Sequence, residues 1–308
     1  MLKNKKIMKI FYHKTTQLIF NTKLSRYQYL LFAVLLAIGF TSCKKTDYLD
    51  TDNADRPPLS AKVKLVNALS ITAPVNFLDF TRQINAATVT HNVATDYLDT
   101  QYGKVQYNTT EGSNTSYKSS YVFGGSATFA QENDKASFAG PNGPIASYYH
   151  TLFTVAKRKP SKANPGNRDS LILVYDDLEA PAAGKAKVRF ANFSPDAPDL
   201  SFGLAGGADV FTNVAYGNFA GQTVITYDAN GKAPATIEGL TWKTLGPFKE
   251  IDAASAKDFT IRNAATNTVI PVNGLSNISF EAGKIYTVFI NGTVSGSTIT
   301  ATVISHAK

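Results

Sequence analysis

Apolar and polar residues alternate over short stretches along most of the chain after residue 60, without long runs of helical periodicity. These stretches are rich in Val, Ile, Thr, Phe and Tyr and are separated by Gly, Asn, Asp and Pro, which is typical of all-β proteins. In residues 298–304, Thr alternates with Ile, Ala and Val, so we expect one face of this strand in the core and the other in water. The other predicted strands are residues 62–67, 170–175, 187–192, 223–227, 258–263 and 285–291.

Two segments of the chain resemble each other and begin 125 residues apart. AKVKLVNALS begins at Ala61 and AKVRFANFSP begins at Ala186, and each is followed by an Ala-Pro pair. Near the end of each copy comes an aromatic-rich stretch, YHTLFTV from Tyr149 and IYTVFIN from Ile285. A tandem repeat of this kind indicates two structural units with the same topology.

The fold class predicted from these patterns is all-β, with two tandem Ig-like antiparallel β-sandwich domains at residues 60–180 and 184–308. Hydrophobic residues make up 44% of the chain, which is enough for a core and excludes disorder as the main state. The link at residues 180–185 is short and contains Ala and Gly, so we expect the two domains to move relative to each other.

The start of the chain has the pattern of a signal peptide. Residues 30–40, LLFAVLLAIGF, are apolar and uncharged, but the run is shorter than the ~20 residues that a membrane-spanning helix needs. A basic stretch precedes this run, so residues 1–42 are predicted to be a signal peptide.

A sequence that resembles the bacterial lipobox follows the apolar run, and it consists of Phe40, Thr41, Ser42 and Cys43. In that motif small residues allow a peptidase to bind the backbone, and the Cys thiol accepts a diacylglyceryl group. Cys43 is the only Cys of the chain, so it is the predicted lipid attachment site, and an intrachain disulfide is excluded. Residues 43–59 are polar and acidic and are predicted to form a flexible tether.

A lipid anchor predicts a location in the cell envelope, at the outer membrane. Lys44 follows the Cys, so the sequence does not resemble the signal that retains lipoproteins in the inner membrane. The acidic cluster after Lys44 resembles the surface-export signal of Bacteroidota lipoproteins. Two orientations stay open, one exposed on the cell surface and one facing the periplasm.

The formal net charge of +8 comes almost entirely from the signal peptide. Residues 1–42 contain seven basic residues and no acidic residue, which leaves 24 basic against 23 acidic residues in the rest of the chain. A nucleic-acid partner is therefore not expected, because the mature chain lacks the excess positive charge that would attract a polyanion.

The second repeat resembles the domain-of-unknown-function 4397 family. The resemblance rests on AKVRFANFSPDAP from Ala186, NVAYGNFAG from Asn213 and EAGKIYTVFINGT from Glu281. It covers residues 185–308 well and residues 61–175 weakly. It implies a secreted or envelope-tethered β-sandwich module and no known catalytic residues.

Candidate chemistry is sparse in the mature chain. His91, His150 and His306 are its only histidines, and none lies in a catalytic or metal-binding motif, so we predict no metal and no cofactor. We expect His150 to be packed in a strand and His306 to fray with the C-terminus. The pair Asp176 and Asp177 is interpreted as turn chemistry, because adjacent strand residues point to opposite faces.

Two aromatic residues are candidate ligand contacts. Trp242 lies in a loop-like stretch, and Tyr216 precedes a Gly in the second repeat, so either ring could stack on a sugar. Ser170, in the stretch Asp-Ser-Leu, resembles an O-glycosylation site of Bacteroidota.

These observations predict a lipid-anchored envelope protein of unknown molecular activity. It is expected to be a non-catalytic binding or structural module, not an enzyme, with a glycan or an envelope protein as its partner. The alternative is an accessory glycan-binding or glycan-degrading subunit at the cell surface. A cleft with two facing carboxylates would favour the degrading enzyme.

Overall fold

The computed structural model describes residues 59–124, 143–156, 169–222 and 246–308. These residues form strands, turns and loops, with no helix among them, so none of the described part crosses a bilayer as a helix. The strands are β1 Ala61–Ala68, β2 Val75–Asp79, β3 Arg82–Gln83, β4 Ala94–Thr100, β5 Val105–Glu111, β6 Ser119–Phe123, β7 Tyr149–Val155, β8 Ser170–Tyr175, β9 Lys185–Asn192, β10 Leu200–Leu204, β11 Asp209–Val214, β12 Lys249–Asp252, β13 Ala254–Lys257, β14 Phe259–Asn263, β15 Val269–Ile270, β16 Ile278–Phe280, β17 Ile285–Asn291 and β18 Thr300–His306.

Four sheets of four strands form four layers. Outer sheet 1 has the order β3-β2-β5-β6, inner sheet 1 β4-β1-β7-β8, inner sheet 2 β12-β9-β17-β18, and outer sheet 2 β11-β10-β14-β15. One hydrophobic cluster lies between the first two sheets, a second between the two inner sheets, and a third between the last two. The all-β, sandwich-like fold class is therefore confirmed. A small additional sheet pairs β13 with β16.

The two halves of the chain, β1–β8 and β9–β18, build their inner sheets with the same strand order. Each inner sheet also contains one parallel pair, β1 with β7 and β9 with β17, which the expectation of purely antiparallel sheets did not include. Parallel strands need a crossover connection. Here the crossover is the part of the chain between the two strands of each pair, which includes the strands of an outer sheet.

An Asn at the same place in both repeats fixes the first strand of each half to a later segment of that half. The Asn67 side chain donates to the Val89 carbonyl oxygen at 3.0 Å, and the Asn192 side chain donates to the Val214 carbonyl oxygen at 3.0 Å. Both side chains are buried. A buried amide needs such partners, which explains why both repeats have a buried Asn at this position.

The inner sheets pack against each other through four Phe rings, Phe153, Phe193, Phe219 and Phe289. Their ring centroids lie 5.1–6.0 Å apart, and all four side chains are buried. Burial of each ring stabilises the contact by about 1.5–3 kcal/mol. Residues Leu59–Lys308 form one compact unit, and the relative motion of the two predicted domains stays a prediction.

The expectation that the sheet containing β18 has one face in water was also wrong. Ile299 and Ala301 lie in the cluster against outer sheet 2, whereas Ile304 lies in the cluster between the inner sheets. Both faces of inner sheet 2 are therefore covered by protein. The predicted strand at residues 223–227 and residues 1–58 lie outside the described residues, and the domain boundaries stay a prediction.

Candidate binding face

Five of the predicted site residues lie outside the described part of the chain. They are the lipobox residues Phe40, Thr41 and Ser42, the lipid attachment site Cys43, and the candidate ligand contact Trp242. Their roles stay predictions.

The other two predicted site residues are buried. Tyr216 is 4% exposed and Ser170 is 2% exposed. Tyr216 lies in the loop that binds β9, since the next residue, Gly217, donates its backbone N–H to the Asn192 carbonyl at 2.7 Å. In the folded protein, therefore, neither the Tyr216 ring nor the Ser170 hydroxyl presents a surface to a ligand or a glycosyl transferase.

Between the inner sheets lies a buried ion pair that the sequence did not reveal. The Arg189 guanidinium Nη2 lies 2.7 Å from Asp176 Oδ1, and both side chains are fully buried. Arg189 Nε also donates to Thr287 Oγ1 at 3.0 Å, and Thr151 Oγ1 donates to Asp176 Oδ2 at 2.6 Å. Asp176 was interpreted as a turn residue, but its carboxylate joins the two halves of the chain.

His306 and Tyr97 close this cluster into a ring of hydrogen bonds. Thr287 Oγ1 lies 2.8 Å from His306 Nε2, and the Tyr97 hydroxyl lies 2.8 Å from both His306 Nδ1 and Asp176 Oδ2. The expectation that His306 frays was therefore wrong. The cluster is called the buried interface network, and its members are Tyr97, Thr151, Asp176, Arg189, Thr287 and His306.

Burial and charge set the protonation states of this network. Burial lowers the pKa of His306 to about 3, so the imidazole is neutral near pH 7. Burial alone would raise the pKa of Asp176, but the charge of Arg189 and hydrogen bonds from Thr151 and Tyr97 outweigh it, so the pKa lies below its usual value. The network therefore holds one cation and one anion.

The Thr287 hydroxyl, the His306 imidazole and the Asp176 carboxylate follow one another like the nucleophile, the general base and the orienting carboxylate of a catalytic triad. Thr287 has no exposed surface, however, and the Tyr97 hydroxyl lies between His306 and Asp176, whose nearest atoms are 3.7 Å apart. A substrate cannot reach the Thr287 hydroxyl in this arrangement. The network therefore acts as a structural clamp between the halves.

Comparison of the two repeats could have located the network. In register, Lys64 of β1 pairs with Thr151 of β7, and Arg189 of β9 pairs with Thr287 of β17. A basic residue and a Thr thus occur at equivalent positions of the central strands in both repeats. Buried polar residues at repeated positions indicate a hydrogen-bonded contact.

An open cleft of about 490 Å³ lies beside Tyr102, Lys104 and Ile145. No carboxylate lines this cleft among the described residues, so it does not provide the acid pair of a glycosidase. No group of His, Cys, Asp or Glu within the described ranges is placed to hold a metal ion.

The best candidate site lies on the solvent side of outer sheet 1. Phe80, in the turn between β2 and β3, is 46% exposed, and Tyr117, just before β6, is 43% exposed. The Tyr117 hydroxyl donates to the Phe80 backbone carbonyl oxygen at 3.4 Å, so two exposed aromatic residues distant in sequence lie close together. With the half-buried Gln106 and Ser120 they form what we call the first outer face, and the buried Asn108 side chain supports it.

The backbone of Phe80 is held in an unusual conformation. Its φ of 51° lies in the left-handed region, which costs a non-glycine residue about 1–2 kcal/mol. The Phe80 N–H donates to the Gln106 carbonyl at 2.7 Å, and the Asn108 side chain donates to the Phe80 carbonyl at 2.5 Å. Gly or Asn would adopt this conformation with less strain, so the exposed aromatic residue carries a local energetic cost.

Amide side chains form the floor of the first outer face. In β5, Val105 and Tyr107 point into the core, and the alternation of the strand therefore directs Gln106 and Asn108 to the other side of the sheet. Gln106 is half-buried there, whereas Asn108 is only 1% exposed and supports the face from within. Gln106 Nε2 donates to Asn108 Oδ1 at 3.1 Å and to Ser120 Oγ at 2.8 Å. These hydrogen bonds hold the polar groups in place before any ligand binds.

Most of the charged side chains around this face are paired. Arg82 Nε donates to Asp79 Oδ1 at 3.0 Å, and Lys118 Nζ lies 2.7 Å from a Glu111 oxygen and 3.2 Å from Asp169 Oδ2. The first outer face is therefore close to neutral, with aromatic and amide groups at its surface.

The chain matches no family model and no curated protein. Among solved structures, it is similar to a family 26 carbohydrate-binding module from Eubacterium rectale Amy13K, solved in complex with maltoheptaose, at 10% identity and a TM-score of 0.21, over 80% of this chain and 98% of that chain. A proposed cell adhesion protein from Bacteroides uniformis aligns at 7% identity and a TM-score of 0.19, over 80% and 97% of the two chains. A proposed cell adhesion protein from Bacteroides eggerthii aligns at 11% identity and a TM-score of 0.17, over 81% and 96%. Likeness at these TM-scores carries no argument about function.

Proposed function

We propose that this chain is a lipid-anchored protein of the cell envelope that acts as a non-catalytic binding module. The observation that carries this proposal is the first outer face, where two half-exposed aromatic rings stand beside prearranged amides on a rigid sheet. Aromatic side chains and a few fixed polar groups are typical of ligand sites. The strained backbone of Phe80 supports a binding role, because strain of this kind clusters at functional sites.

The anchor is the second part of the proposal. The apolar run at residues 30–40 and the lipobox ending at Cys43 support lipidation and an outer-membrane location. We also propose membership of the domain-of-unknown-function 4397 family, supported by the motifs of the second repeat. Labelling with a clickable palmitate analogue is expected to mark the native chain and not Cys43→Ser, and equal labelling of the two would reject the anchor.

The binding role can be tested before the ligand is known. A photo-crosslinking amino acid is placed at Tyr117 of the full chain in its own host, and a matched one is placed at Val269, which is 58% exposed on outer sheet 2. We expect adducts at Tyr117 that disappear when Phe80→Asn is added. Equal adducts at both positions, or none, would favour a structural spacer.

A glycan-degrading subunit is the second candidate function. It would require a cleft with two facing carboxylates, and the cleft beside Tyr102 has none within the described residues. Antibody labelling of intact and permeabilised cells decides between a surface and a periplasmic orientation. Labelling of intact cells would support an external ligand.

A further inference from the structure

We propose that the first outer face binds an uncharged polysaccharide. This inference rests on the proposed function, because it names the ligand class of the same face. The groups available on the face select for a ligand that combines flat apolar surfaces with many hydroxyl groups and carries no charge.

The aromatic pair supplies the apolar part of the site. Phe80 and Tyr117 are both nearly half exposed and meet at the Phe80 carbonyl oxygen, so neither ring is covered by the core. A sugar ring has a flat face of C–H groups that can cover such a ring and remove it from water. Two neighbouring rings match a chain of sugars better than a single small molecule.

The amide floor supplies the polar part of the site. Gln106 and Ser120 are half-buried on the same face, and amide and hydroxyl groups both donate and accept hydrogen bonds. The buried Asn108 side chain holds them from within, since it accepts from Gln106 and donates to the Phe80 carbonyl oxygen. Sugar hydroxyls also donate and accept, so their pattern can be matched by these groups. The hydrogen bonds among the side chains keep them in place, which lowers the entropy lost on binding.

Most of the charges around the face are paired, which favours an uncharged ligand. Arg82 and Lys118 are engaged by carboxylates of this chain, and Lys104, just before β5, is the exposed cation on the side of Gln106. An anionic polymer would have to displace these carboxylates to gain an ion pair with Arg82 or Lys118. A protein partner is a weaker fit, because a protein interface needs a larger apolar area than Phe80, Tyr117 and the half-buried Leu78 and Val122 provide on this face.

Affinity electrophoresis of the full chain tests this inference. The detergent-solubilised protein is run through gels that contain neutral glucan, mannan, xylan or galactan, and through gels that contain polygalacturonate or heparin. We expect retardation in at least one neutral gel and none in the anionic gels. Phe80→Asn and Tyr117→Ser are each expected to weaken this binding about tenfold or more, because each removes one apolar contact.

Tyr148→Ser is the matched control, since Tyr148 has the same 43% exposure as Tyr117 but lies just before β7. Its retardation should equal that of the native chain. Two outcomes would overturn the inference and leave the proposed function standing. One is retardation only in anionic gels that Phe80→Asn or Tyr117→Ser abolishes, and the other is a protein adduct at Tyr117 without retardation in any gel. If there is neither retardation nor an adduct, the inference and the proposed function are both overturned. Unfolding midpoints of the variants show that lost binding is not lost folding.

Discussion

The buried interface network and the first outer face are both polar clusters that contain aromatic rings, but they differ in access and in strain. In the network, Asp176 and Arg189 are sealed between two sheets, and their hydrogen bonds join the halves of the chain. On the face, Phe80 and Tyr117 remain exposed, and one of them has a strained backbone. The difference is one of access: the network joins the two halves out of reach of a ligand, whereas the aromatic residues of the face are open to one.

Among the variants considered, removal of the Arg189 side chain is expected to lower the stability of the protein most. Arg189→Ala leaves the Asp176 carboxylate buried without its cation, so we expect the free energy of unfolding to fall by about 3–5 kcal/mol. Urea unfolding of the full chain measures this loss. The matched variant Lys185→Ala removes an exposed ion pair with Asp252 and should leave the midpoint unchanged. Equal midpoints for the two variants would contradict the clamp.

Acid should weaken the network and spare the face. The pKa of His306 is about 3 in the folded protein and near 6.5 when unfolded, so between these values only the unfolded chain binds the proton. Stability should therefore fall as the pH is lowered from 6.5 towards 3, by up to about 1.4 kcal/mol per pH unit. The lowered pKa of Asp176 adds a loss at the acid end of this range.

Unfolding midpoints measured across pH check this slope. In His306→Asn the slope between pH 6.5 and 4 should become shallower, although the variant is less stable throughout. The remaining slope is expected from His150, because burial also lowers the pKa of that imidazole. A slope that is unchanged in His306→Asn would mean that other groups cause the acid sensitivity.

Replacement of Phe80 should separate stability from binding. Phe80→Asn relieves the left-handed strain, so we expect stability to rise by up to about 1 kcal/mol while ligand binding is lost. Thermal unfolding and affinity electrophoresis of the same sample measure the two effects. A clear loss of stability would show that the ring packs as part of the fold and is not held for a ligand.

The smallest expected effect is that of Tyr117→Phe. This variant keeps the ring and removes only the long hydrogen bond to the Phe80 carbonyl, so stability should change by less than about 0.5 kcal/mol. Binding should weaken less than in Tyr117→Ser. If both variants lose binding equally, the hydroxyl and not the ring contacts the ligand.

Strand positions could be predicted well where apolar residues alternate within a short run. The strands predicted at 170–175 and 285–291 agree with β8 and β17, whereas the last strand begins at Thr300 and not at residue 298. There the Thr298 N–H donates to the Thr293 carbonyl at 3.1 Å and belongs to the preceding turn. Such a turn depends on backbone geometry that the alternation of residues does not contain.

The candidate site could not be predicted in the same way. Trp242 and Tyr216 were chosen because they are aromatic residues near Gly or in loops, but burial decides which rings are available. Phe80 and Tyr117 were not singled out, since they lie 37 residues apart and only the pairing of β2 with β5 and of β5 with β6 brings them together.

The sequence by itself determined the all-β class and the two repeated units, because the alternation of side chains and the positions of Gly and Pro act over a few residues. Only the tertiary structure decided that the inner sheets pack face to face, that Asp176 meets Arg189, and that Tyr97 meets His306 across 209 residues. These contacts depend on which apolar faces cover each other, and no local pattern of residues specifies that choice.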